Sequence, residues 1–293
     1  MFNQGRNLLV VPRGGLNDIL CQLTRCFSYA QKENRNLIID TIPSGLRLPL
    51  DIIFERKIWA PIFFADYKTH LKGNPGTIFP NVPVSPDGEI QFSYSQDWRN
   101  YISPILSSPI TFDHNQTYAE DTLLHLQCGG GDWGHHWFKF VNFKAAFLEK
   151  IMSKISTLPE AYDSVHIRNT DMKTDYQRFF SDIADNVKGK KLLVCSDNYD
   201  VIAYAKTNLP AKEIITISDI PANGEIPLHD RDSYTQDELY TNALNTFVDL
   251  FSMAFSNNLH ISKNISGGFS GFSILAVNLF KNKDILKDIL KIS

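Results

Sequence analysis

The feature that most constrains the fold is the alternation of short apolar strands with helical segments in the second half of the chain. Strands are predicted at 164–168, 191–196, 213–217 and 258–261, and a helical segment follows each of them. Strands separated by helices indicate βαβ units and a parallel sheet. This half therefore predicts a doubly wound, Rossmann-like α/β domain, whose ligands bind beyond the carboxyl ends of the strands.

The first half begins in the same way and then becomes rich in loops. Strands are predicted at 7–11, 36–40 and 122–127, with a helix at 18–33 after the first strand. Residues 41–118 contain much of the proline of the chain and few periodic segments. A loop-rich region of this length in a compact chain is usually functional, for instance as an acceptor-binding rim.

The two halves are predicted to be two domains. A hinge is expected near Leu158 and Pro159, after an amphipathic helix at 142–156 and before the next strand. The predicted N-terminal domain covers residues 1–157 and the C-terminal domain covers residues 158–293, with a cleft between them. The last helix is a candidate to pack back on the N-terminal domain.

Charge and cysteine usage limit the environment and the partners. The 293 residues carry 29 basic and 32 acidic side chains, a formal charge of −3, so no bulk attraction to nucleic acid is expected. The longest apolar runs are too short to span a bilayer, and the N-terminus lacks the apolar segment of a signal peptide. Cys21, Cys26, Cys128 and Cys195 form no C-x-x-C pair and have no histidine at zinc-site spacing. These features predict a cytoplasmic protein, at most peripherally associated with the inner face of a membrane.

A glycine-rich turn joins the first strand to the first helix. Gly14 and Gly15 permit positive φ and close approach of a ligand, and Asn17 tolerates the left-handed region. Asp18 can cap the helix, whose free N–H groups can bind an anion or a sugar oxygen. The alternative is a tight strand-to-helix turn without a ligand, since the glycines lack the G-x-G-x-x-G spacing.

The strand at 164–168 carries polar residues where an apolar strand is expected. His166 and Arg168 share one face of this strand, at its carboxyl end. Arg168 suits a diphosphate, because a guanidinium is always charged and can bond two oxygens at once. The alternative is an ion pair between Arg168 and Asp171 that fixes the loop, with His166 satisfied by the backbone.

Segments from both halves, in the right order, resemble fucosyltransferases. Residues 14–22 are similar to the G-G-L-G-N-Q-L-F-Q segment of bacterial fucosyltransferases. Residues 166–171 resemble the H-x-R-R-x-D motif shared by the α-1,2-, α-1,6- and protein O-fucosyltransferases. Ser196-Asp197 resembles their S/T-D-D segment, and Asp249 followed by residues 266–270 resembles their final motif.

The resemblance implies a GT-B fold of two Rossmann-like domains and inverting, metal-independent transfer of fucose from GDP-fucose to a carbohydrate acceptor. It implies that Arg168 binds the β-phosphate and that His166 and Asp249 contact guanosine. A carboxylate such as Asp249 can accept both donors of the guanine edge, although it could instead pair with a lysine, an arginine or a helix N-terminus. The remaining candidate donor contacts are Gly14, Gly15, Asn17, Asp171, Ser196, Asp197, Ser266 and Ser270.

Three positions depart from the motifs. Asn169 stands in place of the second arginine, Asn17-Asp18 in place of Gly-Asn, and Asn198 in place of a second aspartate. These departures leave two alternatives open. One is a GT-B glycosyltransferase that uses a different nucleotide sugar, and the other is a non-catalytic nucleotide- or glycan-binding module on the same fold.

The catalytic base is predicted to be Asp175, in the loop that leaves the strand at 164–168, with Asp18 as its rival. Each of them could instead cap a helix. Asp132, Trp133 and His135 are the candidate acceptor contacts, with a merely structural aromatic cluster as the alternative.

No metal is predicted to take part in the reaction. His135 and His136 are adjacent in sequence, and adjacent histidines seldom converge on one ion. The D-x-D triplet at 230–232 is expected to be a solvated loop.

Overall fold

The computed structural model describes residues 5–73, 75–187, 189–209, 212–219 and 234–291. The chain divides into two compact units, Met1–Asn142 and Phe143–Ser293. The strands are β1 (Asn7–Val10), β2 (Asn36–Ile39), β3 (Phe54–Arg56), β4 (Ile62–Phe64), β5 (Ile78–Phe79), β6 (Ser93–Ser95), β7 (Asn100–Ser103), β8 (Ser108–Pro109), β9 (Thr122–His125), β10 (Val141–Phe143), β11 (Asp163–Ile167), β12 (Lys191–Ser196), β13 (Glu213–Ile215) and β14 (Leu259–Ile261). The α-helices are α1 (Leu16–Lys32), α2 (Tyr67–Lys72), α3 (Ala145–Ile155), α4 (Tyr176–Ile183), α5 (Tyr199–Asn208), α6 (Gln236–Phe255), α7 (Gly271–Lys281) and α8 (Lys283–Leu290). Within these residues, no helix is both long enough and apolar enough to cross a bilayer.

The first unit is built on a parallel sheet of five strands in the order β4-β2-β1-β9-β5. Its inner strands are apolar along most of their length, as expected for strands covered on both faces. Leu9, Ile38 and Leu124 form part of the core on one face of this sheet. The strand order reverses between β1 and β9, so the loops after these two strands lie at a topological switch point.

The loop-rich region 41–118 contains more regular structure than its sequence predicts. Strands β4 and β5 occupy the two edges of the parallel sheet, and β6, β7 and β8 form a small antiparallel sheet. These strands are two to four residues long. Strands this short are held by pairing with their neighbours, so they leave little periodic signal in the sequence.

The second unit contains a parallel sheet of four strands in the order β13-β12-β11-β14. Its core on one face joins Val165 and Val194 of the sheet to Phe180 of α4 and Val201 of α5. The strand order reverses between β11 and β14. The parallel, doubly wound topology predicted from the sequence is therefore confirmed.

The boundary between the units lies before α3, whereas the sequence analysis placed this helix in the first domain. The physical reason is aromatic packing within the second unit. The Phe143 and Phe147 rings pack edge-on against the Phe247 ring of α6, with centroids 5.2 and 5.9 Å away. Helix α8, which the sequence analysis did not predict as a separate helix, packs on α6 and α7 of the same unit.

Candidate functional site

The carboxyl ends of β11, β12 and β14 bring most of the predicted donor-binding residues into one unit. Because the strands are parallel, the loops that follow them lie at the same edge of the sheet. The register pairs Ile167 with Ser196, so the next residues along each strand, Arg168 and Asp197, are neighbours. This arrangement lies at the switch point of the second sheet.

The guanidinium of Arg168 is held in a fixed orientation by two carboxylates. Its Nε lies 2.8 Å from Asp171 Oδ1 and 3.0 Å from Asp197 Oδ2, and its Nη2 lies 2.7 Å from Asp171 Oδ1. The ion pair expected as the alternative is therefore present. Asp171 contacts both Nε and Nη2, whereas Asp197 contacts Nε, and none of these contacts involves Nη1.

Asp197 organises the loop that follows β11. Its Oδ1 accepts a hydrogen bond from the Asn169 backbone at 2.7 Å, and its Oδ2 accepts one from Thr170 Oγ1 at 2.5 Å. The buried amide of Asn169 accepts a bond from the Thr174 backbone at 3.0 Å. Asn169 is thus a structural residue of this loop, at the position where the motif has a second arginine.

Lys173 is a cation of the same loop that the sequence analysis did not single out. Its Nζ donates to the Asn169 carbonyl at 3.3 Å. Its own carbonyl accepts a bond from the Ile265 backbone at 2.8 Å, which ties the loop after β11 to the loop after β14. A positive charge is therefore present next to Asn169, although it is not on the motif residue.

His166 is buried and bonded to a hydroxyl rather than to the backbone. Its Nδ1 lies 2.7 Å from Ser273 Oγ, which lies 2.9 Å from Ser270 Oγ. Ser270 caps α7 by accepting a bond from the Ser273 backbone at 3.1 Å. Burial lowers the pKa of His166 to about 4, so its imidazole is neutral at pH 7.

Asp249 is a partly buried carboxylate on α6, and its partners are neutral. Its Oδ1 accepts a hydrogen bond from Ser218 Oγ at 2.7 Å, and the Cys195 thiol is a second partner. Burial raises its pKa to about 6, and these two hydrogen bonds oppose the shift. The carboxylate is therefore held in an environment that disfavours its charge, as is typical of functional sites.

Ser196 is the last residue of β12, and Ser266 lies in the turn that follows β14. Ser196 Oγ accepts a bond from the Asn198 backbone at 3.2 Å, and Asn198 in turn caps α5. Ser266 is exposed and donates to Asn264 Oδ1 at 2.8 Å, beside Gly267 with φ of +89°. Both hydroxyls have protein partners in this structure, and their contact with a donor stays a prediction.

Asp175 is an exposed residue that caps α4. Its Oδ1 accepts a hydrogen bond from the Arg178 backbone at 3.1 Å. The capping role that the sequence analysis allowed is therefore present, and a catalytic role stays a prediction.

The glycine turn of the first unit is stabilised by hydrogen bonds to the side chains of the two residues Asn17 and Asp18. Asp18 Oδ2 accepts a bond from the Gly15 backbone at 3.1 Å, and buried Asn17 donates to the Gly131 carbonyl at 3.0 Å. Gly14 has φ of +100°, and a Cβ added to it would come within 2.8 Å of Asp18 Oδ2. The turn therefore requires glycine at position 14 with or without a ligand, and donor contacts of Gly14, Gly15 and Asn17 stay a prediction.

The loop after β9 presents Trp133 at the surface of the first unit. Its indole Nε1 donates to the Cys21 carbonyl at 3.1 Å, while 39 % of the residue remains exposed. Asp132 is exposed, whereas His135 is buried and its Nδ1 has no partner among the described residues. An anchored and half-exposed indole can stack on a sugar face, which keeps the acceptor prediction for this loop open.

Two further partners in the second unit were missed by the sequence analysis, Ser273 beside His166 and Ser218 beside Asp249. Ser273 lies on α7 and Ser218 follows β13, so each is far in sequence from its partner. The order of the strands in the sheet brings the partners together. The D-x-D triplet at 230–232 lies outside the described residues.

Comparison with known proteins shows which fold this is. No protein-family model matches the chain, and no curated protein matches it. The solved structure of the fucosyltransferase NodZ from Bradyrhizobium is similar, with 15% identity, a TM-score of 0.63 and coverage of 94% of this chain and 93% of that one. NodZ alpha-1,6-fucosyltransferase co-crystallized with GDP matches at 16% identity and a TM-score of 0.63, over 94% and 92% of the two chains. POFUT1 in complex with GDP matches at 12% identity and a TM-score of 0.52, over 94% of each chain.

At these identities the likeness establishes the fold. The chain has the α/β, GT-B type fold of these fucosyltransferases, as the sequence motifs imply, and the match extends over nearly all of it.

Proposed function

We propose that this protein is an inverting, metal-independent glycosyltransferase that moves fucose from GDP-fucose to a carbohydrate acceptor. The observation on which the proposal rests is Arg168, held by Asp171 and Asp197 at the switch point of a parallel sheet. The fold supports it, since solved structures with the same fold have been described with GDP and with GDP-fucose.

The diphosphate of the donor would bind at the loops after β11 and β14. Arg168 offers the Nη1 edge of its guanidinium, and Lys173 supplies a second cation in the same loop. Helix α7 begins at Gly271, and the first N–H groups of a helix favour anions. Asp171 and Asp197 orient the guanidinium but offset its charge, so Lys173 and the start of α7 would add positive potential beside the diphosphate.

Guanosine would be recognised by His166 and Asp249. Guanine presents N1–H and N2–H₂ side by side, and an ionised carboxylate can accept both. The neutral His166, locked by Ser273, offers one ring nitrogen as a donor or acceptor of fixed orientation.

In the transfer step, an acceptor hydroxyl attacks the anomeric carbon from the side opposite the diphosphate. The new C–O bond forms as the bond to the β-phosphate oxygen breaks, and the diphosphate leaves with the electron pair. The hydroxyl proton passes to a base, for which Asp175 is the first candidate and Asp18 the second. We propose Asp132, Trp133 and His135 as acceptor contacts, and a cytoplasmic location.

The test is calorimetry with GDP, GDP-fucose and UDP in the presence of EDTA. GDP and GDP-fucose are expected to bind and UDP to bind at least tenfold more weakly. Binding of UDP without a response to GDP would overturn the donor assignment in favour of another nucleotide sugar.

A matched pair of arginine variants tests the role of Arg168. Arg168→Lys should lose most of its GDP affinity, because an ammonium cannot replace the planar guanidinium fork. Arg178→Lys is the control, since Arg178 is an exposed residue of α4 whose Nε lies 3.8 Å from Asp182. Equal GDP affinity of Arg168→Lys and the parent would refute a diphosphate contact.

A non-catalytic nucleotide- or glycan-binding module is the second candidate, and Asn169 favours it, because this loop lacks the second arginine of the motif. Turnover separates the two. Release of GDP from GDP-fucose with a panel of β-galactosides and N-acetylglucosaminides supports the enzyme, and binding without any release supports the module.

A further inference from the structure

The first unit brings together a cysteine and two histidines that are far apart in sequence. Cys26 lies on α1, His114 lies in the loop between β8 and β9, and His125 is the last residue of β9. Cys26 Sγ lies 3.8 Å from His114 Nε2, and one ligand atom of each residue lies within 4.8 Å of the others. None of these residues belongs to the proposed donor or acceptor site.

The distances between the ligand atoms of these three residues are close to those of a tetrahedral zinc site. With bonds of about 2.3 Å to sulfur and about 2.0 Å to nitrogen, tetrahedral zinc places its sulfur and nitrogen ligands about 3.5 Å apart. The observed distance of 3.8 Å between Cys26 and His114 is close to this value. The limit of 4.8 Å on the remaining pairs requires a shift of at most about 1.5 Å to reach the same geometry.

His125 contributes to this cluster a buried imidazole with one unpartnered nitrogen. The residue is 6 % exposed, and its Nε2 has no hydrogen-bond partner among the described residues. Its other nitrogen, Nδ1, lies 2.8 Å from Thr111 Oγ1. A buried polar atom without a partner is costly, whereas an imidazole held by a hydrogen bond at one nitrogen is the usual arrangement of a metal ligand at the other.

His114 is held in a similar way. Its ring stacks on Phe112 at 4.4 Å between centroids, and it forms a hydrogen bond with the Phe112 backbone. His114 is only partly buried, which gives an ion a route from the surface.

We propose that Cys26, His114 and His125 form a binding site for a divalent cation of the zinc class, with a fourth position open to water. Thiolate and imidazole ligands select such ions and disfavour Mg²⁺. Binding displaces the proton of the Cys26 thiol to the solvent, so that the ligand set carries one negative charge. Arg25 lies close enough to act on all three residues, and its positive charge favours the thiolate of Cys26 while it disfavours the bound cation.

The experiment is a zinc titration of the whole protein against a chromophoric chelator, with Mg²⁺ as the control ion. The parent should bind one Zn²⁺ per chain, and Cys26→Ala and His114→Ala should each weaken binding at least a hundredfold. Thr111→Val should weaken it by about ten- to a hundredfold, because it removes the hydrogen bond that orients His125. Cys128→Ser is the matched control, since Cys128 is a thiol of the same unit outside the cluster, and it should bind zinc as the parent does.

Cobalt provides a second readout. Co²⁺ bound to a thiolate gives a sulfur-to-metal absorption band, which should appear in the parent and be absent in Cys26→Ala. If Cys26→Ala does not fold, His114→Ala tests the site instead, because His114 is partly exposed and its replacement disturbs the core less. Zinc binding by His114→Ala at the parental affinity, or the absence of zinc binding by the folded parent, would overturn the site.

Discussion

Replacing Asp249 by asparagine tests whether this carboxylate is kept for binding rather than for stability. Its Oδ1 accepts a bond from Ser218, and burial raises its pKa from 3.8 to about 6. Because the folded-state pKa lies above the unfolded one, protonation of Asp249 stabilises the fold. This stabilisation is fully present below pH 3.8 and is lost as the pH rises through about 6.

The size of the effect follows from the same values. A rise in pKa from 3.8 to about 6 corresponds to about 3 kcal/mol, the cost of ionising Asp249 in the folded protein above pH 7. At pH 5 the carboxyl is mostly protonated in the fold, and the cost falls to about 1.5 kcal/mol. Asparagine has no charge and retains a carbonyl oxygen for Ser218. Asp249→Asn should therefore raise the free energy of unfolding by up to about 3 kcal/mol at pH 7.5, and by about half as much at pH 5.

Urea unfolding of the parent and of Asp249→Asn at pH 7.5 and pH 5 measures this difference. Comparing the two proteins at each pH removes the contribution of His166, which is common to both and has the opposite sign because its pKa is lowered. Calorimetry with GDP-fucose at pH 7.5 should show that the stabilised variant has lost most of its affinity for the donor. The parent should bind GDP-fucose more weakly below pH 6, as Asp249 becomes protonated.

The outcome that refutes this reasoning is a variant that is less stable than the parent by the same amount at both pH values. Asp249 would then be a structural acceptor whose charge costs nothing. Unchanged affinity for GDP-fucose would separately remove Asp249 from the guanosine site.

Two further predictions concern loops at the carboxyl ends of the sheets. Gly14→Ala should destabilise the protein by about 1–3 kcal/mol in urea unfolding, because φ is +100° and the new Cβ lies 2.8 Å from Asp18 Oδ2. Gly15→Ala, whose Cβ would lie 3.8 Å from the same atom, should cost less, and equal costs would contradict the strain argument. Lys173→Met should lower GDP affinity at least fivefold at low ionic strength while Lys191→Met, on the partly exposed side chain that pairs with Glu213, leaves it unchanged. Equal GDP affinities of these two lysine variants would exclude Lys173 from the diphosphate site.

The long periodic segments could be predicted from the sequence because their pattern depends on local burial. Strand β12 has the predicted bounds, Lys191–Ser196, and helix α6 lies between two predicted strands as expected. The edge strands β4 and β5 are three and two residues long, so their existence depends on the strand beside them. The boundary between the units was missed because it depends on which aromatic rings Phe143 contacts.

The candidate site likewise contains contacts that are local in sequence and contacts that depend on the fold. The pairing of Arg168 with Asp171 is local and could be predicted, whereas its second contact, with Asp197, follows from the register between β11 and β12. Cys26 and His114 are 88 residues apart, so no rule based on short ligand spacing can find them. Their convergence is a property of the fold of the first unit.

The identity of the base remains a prediction about two carboxylates that both cap helices. Asp175 accepts a bond from the Arg178 backbone, and Asp18 accepts one from the Gly15 backbone. Asparagine can keep such a bond at a helix start, so Asp175→Asn and Asp18→Asn separate proton transfer from stability. Asp175→Asn should lower the rate of fucose transfer by about 10²–10⁴-fold with unchanged GDP affinity, while Asp18→Asn stays within a few-fold of the parent. The reverse order would assign the base to Asp18. If both variants keep the parental rate, neither carboxylate takes the proton, and the diphosphate or a loosely dissociative transition state would have to carry the step.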